Sequence, residues 1–179
     1  MPVTIELQPL ETQTALNLKR WSEILDDPEL ARLPHRIETD RHGHIVITPP
    51  PAPFHGQKQS FISSVLQRLL PQGTVITECP VSTSDGVKAI DVAWLDAPRR
   101  QEIRDAVCLI RAPEVCVEVL SPSDTAAEIR EKKALYFGAG AREVWICHQD
   151  GTIDFFYHGT SDTCSRSEIC PDFPSKIDL

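Results

Sequence analysis

The chain has 179 residues, 41% of them hydrophobic and 25% charged, with a formal net charge of −8. That length supports one domain with a real core, and no apolar run approaches the roughly 20 residues of a membrane span. The acidic balance argues against a protein that coats nucleic acid non-specifically, because such proteins turn a basic face to the phosphates; a cleft can still differ in sign from the whole molecule. The opening residues, MPVTIELQPLETQ, lack a basic region followed by an apolar one. No signal peptide is therefore expected, and the cytoplasm is the expected location. Six cysteines (Cys79, Cys108, Cys116, Cys147, Cys164 and Cys170) form no CxxC pair. They are expected to be reduced, small, buried side chains, with Cys164 and Cys170 as the exceptions.

In chain order, residues 14–33 place Leu18, Trp21, Leu25, Leu30 and Leu33 at helical spacing, interrupted near Asp26-Asp27-Pro28. Residues 36–39 and 44–48 read as two short strands around the turn Asp40-Arg41-His42-Gly43. Pro49-Pro50-Pro51-Ala52-Pro53 is a stiff extended linker. In the next helix, Phe61, Ile62, Val65, Leu66, Leu69 and Leu70 form one broad apolar stripe that ends at Pro71-Gln72-Gly73. Strands follow at 74–81 and 90–95 with a turn at Ser84-Asp85-Gly86. Residues 98–107 are polar. Their Arg99, Arg100 and Arg104, with Arg111, form either a local basic patch or a solvated helix face.

Val115, Val117 and Val119 then alternate with Cys116, Glu118 and Leu120, a period-two strand that stops at Ser121-Pro122. Thr125-Ala126-Ala127-Glu128 reads as a capping box opening a helix to Phe137, with Ser123 or Asp124 as rival caps. One turn in, Lys132 and Lys133 lie on or beside the face carrying Ile129 and Tyr136, so the helix can fold a lysine back over the strand's acid. Residues 142–148 and 152–157 form a hairpin around Gln149-Asp150-Gly151. Residues 161–179 are mixed and polar, and a loose tail is expected. This order predicts an α/β (mixed α+β) fold, a central mixed sheet flanked by helices. The expected division is a helical extension at 1–34, the main domain at 35–160 and the tail at 161–179.

Asp91 opens the apolar strand DVAWL, and Glu118 lies within VCVEVL. An acid in a core strand needs a partner or a job. Either each one pairs with an arginine or caps a turn, or the two share a cleft and hold a divalent metal. Magnesium or manganese prefers oxygen ligands and can polarise a phosphoryl oxygen, and a nearby lysine can stabilise the charge of the transition state. No cysteine–histidine set of zinc spacing competes.

The pattern Asp91 … Glu118-Val119-Leu120 … Lys132 resembles the PD-(D/E)xK nuclease superfamily. More closely, the chain resembles the Uma-two family of bacterial restriction-endonuclease-like proteins through four stretches: RIETDRHGHIVITPPPAPFH, Asp91 to Leu95, PEVCVEVLSPSD and KKALYFGAGAREVW. The resemblance implies a restriction-endonuclease-like core and a metal-dependent endonuclease hydrolysing DNA phosphodiesters. Mg2+ or Mn2+ would sit on Asp91 and Glu118, with Lys132 completing the catalytic set. The usual Pro-Asp is Ile90-Asp91 here, and Leu120 stands where the superfamily places its lysine, so that charge must arrive from the following helix. Lys132 matches the migrated position and Lys133 is the adjacent candidate. Glu38 falls at a further acid, either a third ligand or an exposed strand glutamate. His55 contacts a phosphate or water, or merely bonds the helix start; Tyr136 bonds within the cleft or is a half-buried core residue. DNA is the implied partner, no membrane is, and a homodimer is compatible with the pattern. A catalytically silent nuclease fold that binds nucleic acid or protein is the alternative, since fold does not fix function. A pure interaction module is a third class.

Overall fold

Two ten-residue strands, β3 (Thr74–Thr83) and β4 (Gly86–Leu95), pair antiparallel from end to end except at Glu78 and Asp91, and carry the rest of the sheet. Their turn closes at Gly86, whose φ of 85° lies in the left-handed region. A Cβ there would lie 2.3 Å from the Thr39 carbonyl oxygen, so the turn and the close approach of a neighbouring strand both require glycine. The computed structural model describes residues 9–33, 35–160 and 162–179. Residues 1–8 of the expected extension, and Pro34 and Ser161 at the expected boundaries, lie outside the described residues.

β5 (Val115–Val119) joins β4 antiparallel through only three pairs, Val92↔Val117, Ala93↔Cys116 and Trp94↔Val115. α3 (Ala126–Gly138) then crosses over to β6 (Glu143–Cys147), which lies parallel to β5, and β7 (Ile153–Tyr157) closes the sheet antiparallel. The order β3-β4-β5-β6-β7 is the expected mixed sheet. A separate hairpin, β1 (Arg36–Thr39) and β2 (Ile45–Thr48), lies against the first half of β4. The Val87 N–H donates to Thr39 Oγ1, and the Ala89 N–H donates to Glu38 Oε1. Side chains thus satisfy β4 before Asp91, and β5 satisfies it after.

α2 (Pro53–Leu69) starts at a proline, where a missing N–H costs nothing. Its Ile62, Val65 and Leu66 pack on the face formed by Val92, Trp94, Val115, Val117, Trp145 and Phe155. The buried Lys58 donates to the carbonyls of His148 and Gln149, 2.7 Å from each, and so ties α2 to the β6–β7 turn. α3 covers the opposite face, where Tyr136 packs with Cys79, Val81, Ile90, Cys116 and Val144. No helix among the described residues is long and apolar enough to cross a membrane.

Three segments differ from expectation. α1 (Leu10–Asp26) starts earlier than residue 14 and buries Gln13, Asn17, Trp21 and Ile24, while Leu25 is exposed. The cause is polar: Asn17 Nδ2 donates to Ser82 Oγ and the Thr83 carbonyl, and Gln13 Nε2 to the Arg41 carbonyl, which rotates the helix onto the β3–β4 turn. Residues Ala97–Ile103 form a 3-10 helix in which Arg99 is buried, paired with Glu102 and Glu114 and donating to the carbonyls of Arg111 and Ala112. Arg99 is therefore neither part of a basic patch nor solvated.

The expected loose tail instead packs: Cys170, Phe173 and Ile177 join the main core. Glu143 anchors it, accepting from Trp145 Nε1, Ser167 Oγ and the N–H groups of Glu168 and Ile169. Cys170, Phe173 and Ile177 stand at i, i+3 and i+7, but Pro171 and Pro174 between them rule out a regular helix, so the spacing did not announce a packed segment. All six cysteines are free, and Cys170 is buried. Glu143→Ala would strand several buried donors at about 1–3 kcal/mol each, non-additively. We expect a loss of about 3 kcal/mol or more, read as a lower urea midpoint of unfolding.

Candidate active site

The site forms where β4 parts from β1 and meets β5. Asp91 sits one residue outside the last β4–β5 pair. Its Oδ2 accepts the Val119 N–H at 2.7 Å, so the carboxylate takes a backbone donor at the point where the ladder stops. Opposite it on β3, Glu78 has φ 51°, the one non-glycine residue with positive φ among those described. Around this point β3 changes the core it faces: Val75 packs with one cluster, Cys79 and Val81 with the other. That kink opens a fork in which polar side chains gather.

The Asp91 side chain is 1% exposed, and its Oδ1 faces Arg36 NH1 at 2.6 Å, Gln59 Nε2 at 3.2 Å and His55 Nε2 at 3.4 Å. Burial opposes its charge, but the bond with His55, the Arg36 guanidinium and the Val119 N–H outweigh burial and lower its pKa. His55 is raised in turn, by its bond to Asp91 against the effect of burial. His55 and Gln59 reach the same carboxylate because residues four apart share a helix face.

Glu118, on the adjoining strand, is also buried. Its Oε1 accepts from Tyr136 Oη at 2.6 Å and its Oε2 from Lys132 Nζ at 2.7 Å. Burial pushes the Glu118 pKa up, with Lys132 pulling it back and the Asp91 charge adding to the rise. For Lys132, burial works against the charge, but Glu118 and then Glu38 outweigh it, and its pKa is raised. Tyr136 is completely buried, and burial with the neighbouring Glu118 raises its pKa far enough to keep it a proton donor.

α3 positions these groups through the capping box read from the sequence: Thr125 Oγ1 accepts from the Glu128 N–H, and the Glu128 carboxylate accepts from the Thr125 N–H. From that fixed start, Lys132 and Tyr136 fall one turn apart above Glu118. Lys133 points elsewhere, its Nζ 3.5 Å from the centre of the Phe156 ring.

Asp91, Glu118, Lys132 and Tyr136 therefore converge, with His55 beside Asp91. Tyr136 is fully rather than half buried. Glu38 is buried rather than exposed, with its Oε1 bound to the Ala89 N–H and 3.7 Å from Arg36 Nε. Sequence reasoning missed Arg36, Gln59 and Glu78. The available signals were periodic: Arg36 shares a strand face with Glu38, and Gln59 a helix face with His55.

Four carboxylates (Glu38, Glu78, Asp91 and Glu118) surround two fixed cations, Arg36 and Lys132. Against those two cations the four acids leave negative charge in surplus, part of which His55 offsets when it is protonated beside Asp91. Among the described residues, no three His, Cys, Asp or Glu side chains are arranged to hold an ion as they stand. The donor chemistry nevertheless fits a hard cation: all the donors are oxygens, and Asp91 Oδ2 and both Glu118 oxygens each accept one hydrogen bond and keep a lone pair.

A model of the Uma2 family, described as "Putative restriction endonuclease", matches residues 27–175, most of the chain. The chain belongs to the Uma2 family. The Uma2 match spans β1 to β7, and with them Asp91, Glu118 and Lys132. The fold is similar to that of a crystal structure described as "a putative nuclease belonging to DUF820" from Anabaena variabilis, with a TM-score of 0.64 and 18% identity, covering 80% of this chain and 82% of that one. No curated protein matches the chain.

Lys132 touches Glu118 and Lys133 does not, which gives the two lysines different energetic weight. Lys132→Ala leaves a buried carboxyl without its cation and raises the Glu118 pKa further; the expected loss is about 2–3 kcal/mol at pH 7. A carboxyl whose folded pKa lies above its unfolded value near 4.3 destabilises the fold only as pH rises past that value. The deficit should therefore shrink as pH is lowered toward 4, read from urea midpoints at both pH values. Lys133→Ala should cost about 0.5–1 kcal/mol, the worth of an exposed cation–π contact.

Proposed function

We propose that this Uma2 protein is a divalent-metal-dependent endonuclease that hydrolyses DNA phosphodiester bonds. The observation that carries the reading is the pair of buried carboxylates, Asp91 and Glu118, on adjoining strands at one fork, with the Lys132 ammonium 2.7 Å from Glu118. Asp91 and Glu118 would hold Mg2+ or Mn2+, which supplies polarisation of a phosphoryl oxygen and acidification of water. Tyr136 fixes the orientation of the Glu118 carboxylate by donating to Oε1. Lys132 carries its charge on a flexible stem, so its ammonium can turn from Glu118 toward the negative charge that develops on the phosphate. His55 Nε2, beside Asp91, is placed to hold a proton at the edge of the same cleft.

A second reading, a catalytically silent nuclease fold used for binding, is favoured by one observation: protein cations already engage Asp91 and Glu118, in a chain of net charge −8. Divalent-dependent cleavage of duplex and single-stranded DNA separates the two. The endonuclease reading expects cleavage by wild type that Asp91→Asn abolishes. Lys132→Ala should lower the rate a hundredfold to a thousandfold, about 3–4 kcal/mol, while ion binding persists. Lys133→Ala should cleave like wild type. Wild type inert with every divalent ion, yet binding DNA, would support the silent fold.

A further inference from the structure

Arg36 contributes more contacts to the acidic fork than any other cation, and although it opens the first of the family-like stretches, the resemblance gave it no role. Its NH1 donates to Asp91 Oδ1 at 2.6 Å, and its Nε lies 3.5 Å from Glu78 Oε2 and 3.7 Å from Glu38 Oε1. Its side chain is 17% exposed, and both Nε and NH2 are buried without a hydrogen-bond partner. A guanidinium placed for geometry uses its fork, with paired N–H groups on paired oxygens. Arg36 makes a single short bond and otherwise supplies charge, the position a cation occupies when it neutralises acids that share another ligand.

We propose that Arg36 is a resident counter-ion that holds the fork together without a divalent ion and competes with that ion for Asp91. This rests on the proposed ion site at Asp91 and Glu118. An ion held on Asp91 Oδ2 and Glu118 would lie across a single carboxylate from the Arg36 guanidinium on Oδ1, and two positive charges that close in a buried site repel strongly. Ion binding is therefore opposed by the Arg36–Asp91 contact and favours its opening. Opening breaks only one hydrogen bond, because the other buried donors of Arg36 have none to lose. The affinity of the site is thus set by this arginine as much as by the acids, and Arg36 is a positioning residue for the ion rather than a catalytic one.

The test is Mn2+ titration by calorimetry and thermal shift on wild type, Arg36→Gln and Asp91→Asn. Arg36→Gln should melt lower than wild type without ion, bind Mn2+ at least tenfold more tightly, and show the larger upward thermal shift, since a ligand of the native state raises stability with its affinity. Affinity unchanged or weaker in Arg36→Gln, with binding abolished in Asp91→Asn, overturns the competition while leaving the ion site intact. No binding in any of the three removes the ion site and the proposal with it. A second measurement needs no variant at position 36 to fold: the Arg36 Nε–H resonance of wild type, followed during Mg2+ titration. Competition requires that signal to shift or exchange-broaden in step with ion binding. A signal unmoved at saturating Mg2+ overturns the proposal.

Discussion

The bond from the Val119 N–H to the Asp91 carboxylate is the constraint on which the site depends. It replaces the ladder rung that β4 and β5 would otherwise form, so the strands diverge without leaving a buried amide unpaired. The divergence makes room for Arg36, His55 and Gln59 from two other elements. An aspartate is short enough to stay near the backbone and charged enough to draw these partners inward. The same group thus ends a strand pairing and gathers the polar cluster.

Around that bond the charges are arranged in two linked halves. Asp91 is held with Arg36 and His55, and Glu118 with Lys132 and Tyr136. The halves differ in sense: the Asp91 carboxyl is driven down in pKa and the Glu118 carboxyl up. The opposite displacements follow from the partners: Asp91 gains a histidine, an arginine and a backbone N–H that outweigh burial, whereas at Glu118 burial outweighs the pull of Lys132. The Uma2 fold supplies this asymmetry through α2 on one side and α3 on the other.

Much of the scaffold was legible in the sequence because it is periodic. The capping box at Thr125, the stripe from Ile62 to Leu66 and the alternation of Val115 to Val119 each follow one repeat length, and the expectation of a mixed sheet flanked by helices followed from such elements, though the order of its strands did not. Asp91 and Glu118 stood out as acids in apolar strands. What escaped depends on contacts between elements. The kink at Glu78 depends on a backbone angle, Arg36 shares a strand face with Glu38 but meets Asp91 only in the fold, and the polar face of α1 is buried only because Asn17 finds the β3–β4 turn. Glu143 is the instructive counter-example. It too is an acid in an apolar strand, yet three of its four bonds anchor a loop and the fourth is to Trp145 on its own strand, so burial of a carboxylate alone does not mark a site.

That anchor also ties the end of the chain to the site. β6 lies beside β5 carrying a carboxylate whose partners at residues 167–169 stand more than twenty positions later in the chain. A chain cut before residue 167 keeps only Trp145 Nε1 of the four donors to Glu143. Loss of the tail is therefore felt first on β6, the direct neighbour of the strand that carries Glu118.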